Sequence, residues 1–359
     1  MSAPAVLSRI YLLRPLRWAS VLAAIGWHSS LAARNAAFSL MSDFAATSGS
    51  SERLMAEHAR TFRFSTRFLP PRYRDATIDL YAFFRTLDDL VDENSTDPES
   101  VQYVRSELDG WDRWLKSGRL GTAPRPELGR NLSTICDASG IPNSLLLDFL
   151  DGVRSDLDPV SPESRQDVER YSYLVASTVG IAMAHVFCAT SQQSVEAATR
   201  LGIAMQLTNI LRDIGGDVAQ GRNYLPLDLL ASRGLSPDDV AASWRSGSGP
   251  SQQLRLVIQE MTSWADEHYA AGIAGVRLLP QDVRMPILVA ARLYQQILRE
   301  IERNDFDSIN QRASTSGWQK TREAVRTLAS DELRESDSES ATASDLSVLY
   351  GRGSRHHAG

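Results

Sequence analysis

The 359-residue chain carries 38 Lys and Arg against 44 Asp and Glu, which gives a net charge of −6 and a pI near 5.6. This balance excludes nucleic acid as the main partner, because nucleic-acid-binding domains concentrate positive charge. Hydrophobic residues make up 43% of the chain, enough for a large buried core. The two cysteines, Cys136 and Cys188, are far apart in the sequence, so neither a disulfide framework nor a zinc site is predicted.

Residues 1–50 form an arginine-containing extension. The first 42 residues contain four arginines and no acidic residue, a composition typical of organelle transit peptides. A translation start at Met41 and an interfacial segment that contacts a membrane are two further interpretations. The apolar run at residues 18–27 is too short to span a bilayer. We therefore expect the protein in the cytoplasm or peripherally at a membrane, or in a plastid or mitochondrion if the extension is a transit peptide.

Helical periodicity dominates the rest of the chain. Short breaks rich in Gly, Pro, Asn or Asp separate the helical segments, at 94–98, 121–126, 158–162, 221–226, 234–237 and 247–250. No break is long enough to separate two cores, so we predict one all-α domain over residues 51–328. Residues 329–359 are rich in Asp, Glu, Ser and Arg and are predicted to be a disordered tail.

The first acidic cluster lies on the segment YAFFRTLDDLVDE at residues 81–93. Steps of three or four residues along a helix define one face, which changes from apolar through aromatic and cationic to acidic. The residues on this face are Ile78, Tyr81, Arg85, Asp88 and Asp92. The pair of carboxylates at its end sits among core-type residues, where repulsion would make them take up protons unless cations held them.

A second acidic cluster lies on QLTNILRDIGGD at residues 206–217. Steps of three, four and four place oxygen-bearing side chains on one face, namely Gln206, Asn209, Asp213 and Asp217. One such pair alone is typical of an exposed helix, but two pairs flanked by apolar residues favour a site that binds Mg²⁺ and a phosphorylated substrate. Gly215 and Gly216 mark either this site or a simple helix end.

A third segment, YSYLVASTVG at residues 171–180, predicts the wall of a narrow apolar slot. Tyr171, Val175 and Val179 share one helix face, with small residues alongside that allow close approach of an elongated ligand.

These three segments, in this order, resemble the squalene/phytoene synthase family of head-to-head prenyl transferases. The second segment continues into GRNYLP at residues 221–226, and weaker matches are HARTF at 58–62 and AARLY at 290–294. The resemblance covers about residues 52–315 and implies the isoprenoid synthase fold, a helical bundle around a central cavity. Departures are Ala59 in place of a hydroxyl residue, Gly216 in place of an acid, and Arg312 in a stretch with fewer arginines than usual, which puts a role for Arg312 in doubt.

The resemblance implies a role for each matching position. Mg²⁺ is expected between two sets of ligands, Asp88 and Asp92 on one side and Asn209, Asp213 and Asp217 on the other, with Mn²⁺ as the alternative ion. Diphosphate contacts are expected from Arg85, Arg212, Arg222 and Tyr294. Tyr171 is expected near the reacting carbons, Phe62 and Tyr81 beside the allylic cation, Gln206 at the polar end, and Val175 and Val179 along the slot. For Phe62, core packing is an equal alternative.

The expected substrates are two prenyl diphosphates that join through a cyclopropylcarbinyl diphosphate. Ile78 and Thr66 are smaller than an aromatic plug, so we expect a slot long enough for geranylgeranyl diphosphate and a phytoene product, made without NADPH. The alternatives are a C30 synthase that uses farnesyl diphosphate, with squalene, dehydrosqualene or presqualene diphosphate as product, and a non-catalytic assembly factor. No pattern predicts an oligomeric state.

Overall fold

The computed structural model describes residues 69–93 and 98–313. In these ranges every regular element is helical, which confirms the predicted all-α class. The α-helices are α1 (Pro71–Glu93), α2 (Pro98–Lys116), α3 (Pro126–Ser139), α4 (Asn143–Ser155), α5 (Arg165–Ser172), α6 (Thr178–Val186), α7 (Gln192–Ala219), α8 (Leu227–Ser232), α9 (Pro237–Ser246), α10 (Gln252–Ala274) and α11 (Gln281–Arg303). A π-helical turn (Tyr173–Ser177) joins α5 to α6, and a 3₁₀ turn (Gly275–Leu278) follows α10. The domain limits at residues 51 and 328 lie outside the described residues and stay predictions.

The helix ends follow local sequence signals. Proline opens four helices, where its missing N–H removes no helical hydrogen bond, at Pro71, Pro98, Pro126 and Pro237. Ser164 and Asp167 form a reciprocal capping box at the start of α5. Gly140 ends α3 with a φ of 67°, a left-handed conformation that glycine adopts readily. The predicted breaks from residue 121 onward accordingly fall between helices.

The core has two large parts. The first part joins α1, α2 and α4 through aromatic contacts: the ring centroids of Phe83 and Trp111 are 5.3 Å apart and those of Phe84 and Phe149 are 4.7 Å apart. The second part packs α7 against α10 and α11 around the fully buried Tyr269. Burial of each large apolar side chain contributes roughly 1.5–3 kcal/mol.

The π-helical turn is pressed between α4 and α7. A Cβ added at Gly202 on α7 would lie 2.4 Å from Ser177 Cα, and one at Gly152 on α4 would lie 2.9 Å from Val175 Cγ1. The close approach of the backbones therefore requires glycine at Gly202, and at Gly152 an added Cβ would have to displace side chains of the turn. The Ser177 hydroxyl donates to Thr199 O at 2.7 Å and ties the turn to α7. In the described ranges, no helix combines the length and apolarity that a membrane crossing requires.

Candidate active site

A cavity of about 830 Å³ lies between α1, the π-helical turn, α6, α7 and α11. Its volume is near the upper end of the roughly 300–1,000 Å³ typical of ligand pockets. One part of its wall is acidic and carries residues of both predicted clusters, and the other part is apolar and includes Met183, Phe187, Leu201, Leu279 and Ile287. We call the acidic part of the cavity the mouth and the apolar part the slot.

Helix α1 supplies one side of the polar mouth. Tyr81, Arg85, Asp88 and Asp92 all line the cavity, as the stepping pattern predicts. Arg85 forms ion pairs with Asp88 at 3.0 Å and with Asp89 at 2.5 Å. Asp89 also lines the cavity and was not among the predicted residues.

The prediction for Ile78 is wrong. Its side chain is 44% exposed and is absent from the cavity wall, where Thr77 stands instead. Thr77 lies four residues before Tyr81 and shares the face of α1 that lines the cavity. Ile78 lies three residues before Tyr81 and faces away from the cavity. Ile78 therefore gives no information on slot length. Thr66 and Phe62 lie outside the described residues.

Helix α7 supplies the opposite side of the mouth. Gln206, Asn209, Asp213 and Asp217 all line the cavity. Asn209 Nδ2 donates to Gln206 Oε1 at 3.1 Å, whereas the buried Asn209 Oδ1 has no hydrogen-bond partner in the described part of the chain. A buried acceptor without a partner costs free energy unless a ligand satisfies it, so Asn209 Oδ1 marks a place for a cation or a donor.

Arginines surround Asp213 and set its charge. Arg212 Nε donates to Asp213 Oδ1 at 3.0 Å, and Arg312 Nε donates to the same oxygen at 2.6 Å. Burial alone would raise the pKa of Asp213, but these arginines outweigh it and lower the pKa to about 2. Arg312, whose role the sequence left in doubt, thus belongs to the cavity wall.

Two other carboxylates have the opposite shift. Burial, followed by repulsion from Asp92, raises the pKa of Asp88 to about 7. Burial, followed by repulsion from Asp213, raises the pKa of Asp217 to about 8, and Asp92 adds to that repulsion from the α1 side. The two acidic sides therefore face each other closely enough to interact.

The donor set fits Mg²⁺ together with additional oxygen ligands. Carboxylate and amide oxygens are the ligands that Mg²⁺ prefers, and Asn209 Oδ1 is available to one. In residues 69–93 and 98–313, however, no group of three His, Cys, Asp or Glu side chains converges to hold a metal ion by itself. Each side of the mouth therefore needs oxygens from water or diphosphate to complete an octahedral shell.

The slot wall combines predicted and unpredicted features. Tyr171, Val175 and Val179 line the cavity together, as their spacing predicts. The π-helical turn between Tyr171 and Val179 was not predicted; such turns occur often at functional sites. Tyr294 on α11 also lines the cavity, and burial raises its pKa to about 12.

Sequence reasoning missed Asp156 and Tyr224, which also line the cavity. Asp156 directly follows α4, and Tyr224 belongs to the loop after α7. Arg222 in the same loop donates to Asp92 at 3.2 Å, which places this predicted diphosphate contact across the mouth. Asp156 and Tyr224 lie far apart in the sequence and share no helix face, so helical spacing gave no signal for them.

Comparison with known proteins agrees with this geometry. The model of the family described as "Squalene/phytoene synthase" matches residues 55–319. The chain belongs to the squalene/phytoene synthase family. It is 32% identical over 260 residues to the phytoene synthase of Rhodobacter capsulatus, covering 72% of this chain and 74% of that protein. It is 33% identical over 289 residues to the phytoene synthase of Arthrospira platensis, covering 75% of this chain and 88% of that protein.

A solved structure of the same fold is that of a dehydrosqualene synthase in complex with a ligand. It superposes with a TM-score of 0.65 at 25% sequence identity and covers 81% of this chain and 97% of the other. This likeness confirms the expected isoprenoid synthase type of helical bundle. Membership of the squalene/phytoene synthase family also implies that the substrates are prenyl diphosphates.

Proposed function

We propose that this chain is a phytoene synthase, which condenses two molecules of geranylgeranyl diphosphate head to head and forms the C40 hydrocarbon phytoene. The observation that carries the proposal is the identity of 32% and 33% to two phytoene synthases over about three quarters of the chain. The cavity supports it, because an acidic mouth suits the diphosphate and its metal ions and an apolar slot suits the prenyl chains. Slot length itself is not the basis, since Ile78 lies off the cavity wall.

The arginines of the mouth bind and orient the diphosphate. Arg85, Arg212 and Arg222 all line the cavity, and a planar guanidinium matches two phosphate oxygens at once. Each of the three already contacts a carboxylate, with Arg85 on Asp88, Arg212 on Asp213 and Arg222 on Asp92. We propose that they exchange these carboxylates for diphosphate oxygens when substrate binds.

Mg²⁺ is the proposed metal, with Mn²⁺ as the alternative. Asp88 and Asp92 would hold it on the α1 side, and Asn209, Asp213 and Asp217 on the α7 side. When bound, the ion supplies Lewis-acid stabilisation of the charge that develops on the leaving diphosphate. No NADPH is expected, because phytoene forms by loss of a proton and not by reduction.

The slot protects and aligns the allylic cation. Tyr81 lines the cavity one turn from Arg85, where its ring can stabilise a cation by about 0.5–2 kcal/mol. Val175, Val179 and the small residues Ala176 and Gly180 exclude water and hold the second chain beside the first. These residues keep the cation from capture by water until the carbon–carbon bond forms.

Product analysis tests the proposal. The full chain is incubated separately with geranylgeranyl and farnesyl diphosphate, with Mg²⁺ or with EDTA, and with or without NADPH, and products are identified by mass spectrometry. We expect a C40 hydrocarbon from geranylgeranyl diphosphate that requires Mg²⁺ and no NADPH. Exclusive use of farnesyl diphosphate would support the C30 alternative, which the similarity to a dehydrosqualene synthase structure favours.

A matched pair of variants separates catalysis from folding. Asp88→Asn should abolish turnover while the circular dichroism spectrum stays that of the wild type. Asp75→Asn on the same helix is the control, because Asp75 is exposed and lies outside the cavity wall. Full turnover by Asp88→Asn would refute the proposed metal ligands, and no turnover by the wild type with either substrate would favour a non-catalytic role.

A further inference from the structure

Two tyrosines donate to one carboxylate at the side of the cavity. Tyr171 Oη donates to Asp156 Oδ2 at 3.0 Å, and Tyr224 Oη donates to Asp156 Oδ1 at 2.8 Å. The two rings stack with centroids 5.1 Å apart and an interplanar angle of 28°. All three side chains line the cavity, although they come from α5, the end of α4 and the loop after α7.

The arrangement fixes the polarity of the Tyr171 hydroxyl. A phenol has one hydrogen to donate, and Tyr171 has given it to Asp156. The remaining lone pairs of Tyr171 Oη are all that this group can offer to a ligand in the cavity. Tyr171 therefore presents a partly negative oxygen, and it is prevented from donating a hydrogen bond to diphosphate.

We propose that Asp156 is a positioning residue for the reaction: it holds the Tyr171 hydroxyl with its hydrogen turned away from the slot and its lone pairs toward the reacting carbons. The inference rests on the proposed function as a head-to-head prenyl synthase and names a residue that the family motifs in the sequence did not include. A fixed dipole of this orientation stabilises a nearby allylic cation. Tyr224 supports this arrangement, because it donates to the second oxygen of Asp156 and its ring stacks on that of Tyr171.

The electrostatic state of the group supports this role. Burial raises the pKa of Asp156 to about 6, while the two tyrosine hydrogen bonds oppose the rise. Above that pH Asp156 is an anion and accepts from both hydroxyls. Burial and the nearby Asp156 raise the pKa of Tyr171 well above its ordinary value, so the hydrogen stays on the phenol oxygen.

Asp156→Asn is the most informative change because it keeps the shape of the side chain. The amide has one oxygen to accept from one tyrosine, and its NH₂ group faces the other hydroxyl as a donor, so the fixed polarity of the pair is lost. We expect kcat to fall about 10- to 100-fold, as for the loss of one charge-assisted hydrogen bond. KM for the prenyl diphosphate should change less than kcat, because both carboxylate oxygens of Asp156 accept from tyrosines, although its charge also acts on Arg222.

A double-mutant cycle distinguishes positioning from a structural role. If Asp156 acts through Tyr171, Asp156→Asn should lower kcat in the wild type but have little further effect in a Tyr171→Phe background. If Asp156→Asn lowered kcat by the same factor in both backgrounds, the inference would be overturned. A change in KM or melting temperature without a change in kcat would overturn it as well. Asp156→Glu is the conservative control and should recover part of the lost kcat.

If Asp156→Asn does not fold, Asp156→Ser replaces it in the same cycle, because serine also lacks the negative charge and has a smaller side chain. The cycle is measured with whichever prenyl diphosphate the wild type converts, so a C30 product would refute the proposed chain length and leave the test of Asp156 intact. Equal kcat of the wild type, Asp156→Asn and Asp156→Glu would show that the carboxylate has no role in the reaction.

Discussion

Asp217 has the most unfavourable environment of the acidic residues on α7. It is held beside Asp213 and opposite Asp92, and burial raises its pKa to about 8. An unfolded aspartate has a pKa of about 4, so between those two values the folded chain binds a proton that the unfolded chain releases. Asp217 therefore contributes most to the free energy of unfolding at a pH below about 4, the pKa in the unfolded chain. This contribution declines as the pH rises to about 8, the pKa in the folded chain.

The direction of this pH dependence gives a prediction for the protein in EDTA, which removes divalent metal ions. Asp217→Asn should melt at a higher temperature than the wild type at pH 8, and the difference should shrink toward zero at pH 4, because the wild-type carboxyl is then protonated as well. Differential scanning fluorimetry across this range measures the effect. Asp75→Asn, which removes an exposed carboxylate, should show no such trend. A wild type that is as stable as Asp217→Asn at pH 8 would contradict the strained environment.

At the level of single residues, the sequence predicted well those positions that share one helix face. Asp88 and Asp92, or Asn209 and Asp213, need only the four-residue step to be brought together. Asp156 was missed because its relation to Tyr171 depends on the path of the chain after α4, which no local pattern encodes. Ile78 was misplaced because a step of three and a step of four residues both stay near one face, and only the packing of α1 decides between them.

At the level of elements, α7 shows how packing overrides a local signal. Gly215 and Gly216 resemble a helix end, yet α7 continues to Ala219. A Cβ added at Gly215 would lie 2.1 Å from Ile309 O, and the Gly215 N–H donates to Ser308 O at 3.0 Å. Because Gly215 has no side chain, the segment after α11 can pack directly against α7 at this position. A Cβ added at Gly216, in contrast, would meet nothing within 4 Å.

The two glycines make a matched pair for a stability measurement. Gly216→Ala should raise the free energy of unfolding by up to about 1 kcal/mol, because alanine favours a helix interior and has room here. Gly215→Ala should lower it by about 1–3 kcal/mol, the usual cost of overpacking, because the methyl group meets a backbone oxygen. Urea unfolding measures both. Equal effects of the two substitutions would contradict the contact between α7 and Ile309.

The π-helical turn is the element that the sequence did not reveal. Residues 171–180 have ordinary helical spacing, and the widened turn depends on contacts with α4 and α7 that glycines at 152 and 202 permit. The breaks and helix starts, in contrast, follow from proline, serine and glycine signals that act over a few residues. Local chemistry thus predicted where the helices lie, and tertiary contact decided their irregular part.

At the level of the whole molecule, the two acidic sides come from helices that are far apart in the sequence. Neither α1 nor α7 alone gathers enough oxygen ligands for a metal ion, and among the described residues no three acidic or histidine side chains do so. The sequence predicted that the two clusters oppose each other only through the family resemblance. Their separation and the volume of the slot depend on the packing of the whole bundle.

This division of ligands predicts cooperative stabilisation. Mg²⁺ with inorganic diphosphate should raise the melting temperature much more than either component alone, because only the combined ligand satisfies both sides of the mouth. A ligand at about 100 times its Kd stabilises by about 2.7 kcal/mol. Differential scanning fluorimetry with each component and with both measures the effect. Asp92→Asn should weaken the joint shift, and equal shifts from Mg²⁺ alone would contradict the requirement for diphosphate.

The ion pairs between arginines and carboxylates at the mouth have one more consequence. Arg85, Arg212 and Arg222 offset only part of the acidic charge, because among the described residues seven acidic side chains and four arginines line the cavity. An approaching diphosphate without Mg²⁺ therefore meets a net negative field, and a rise in ionic strength should speed that encounter by screening the repulsion. Discrimination between substrates takes place after contact, when the guanidinium groups change partners.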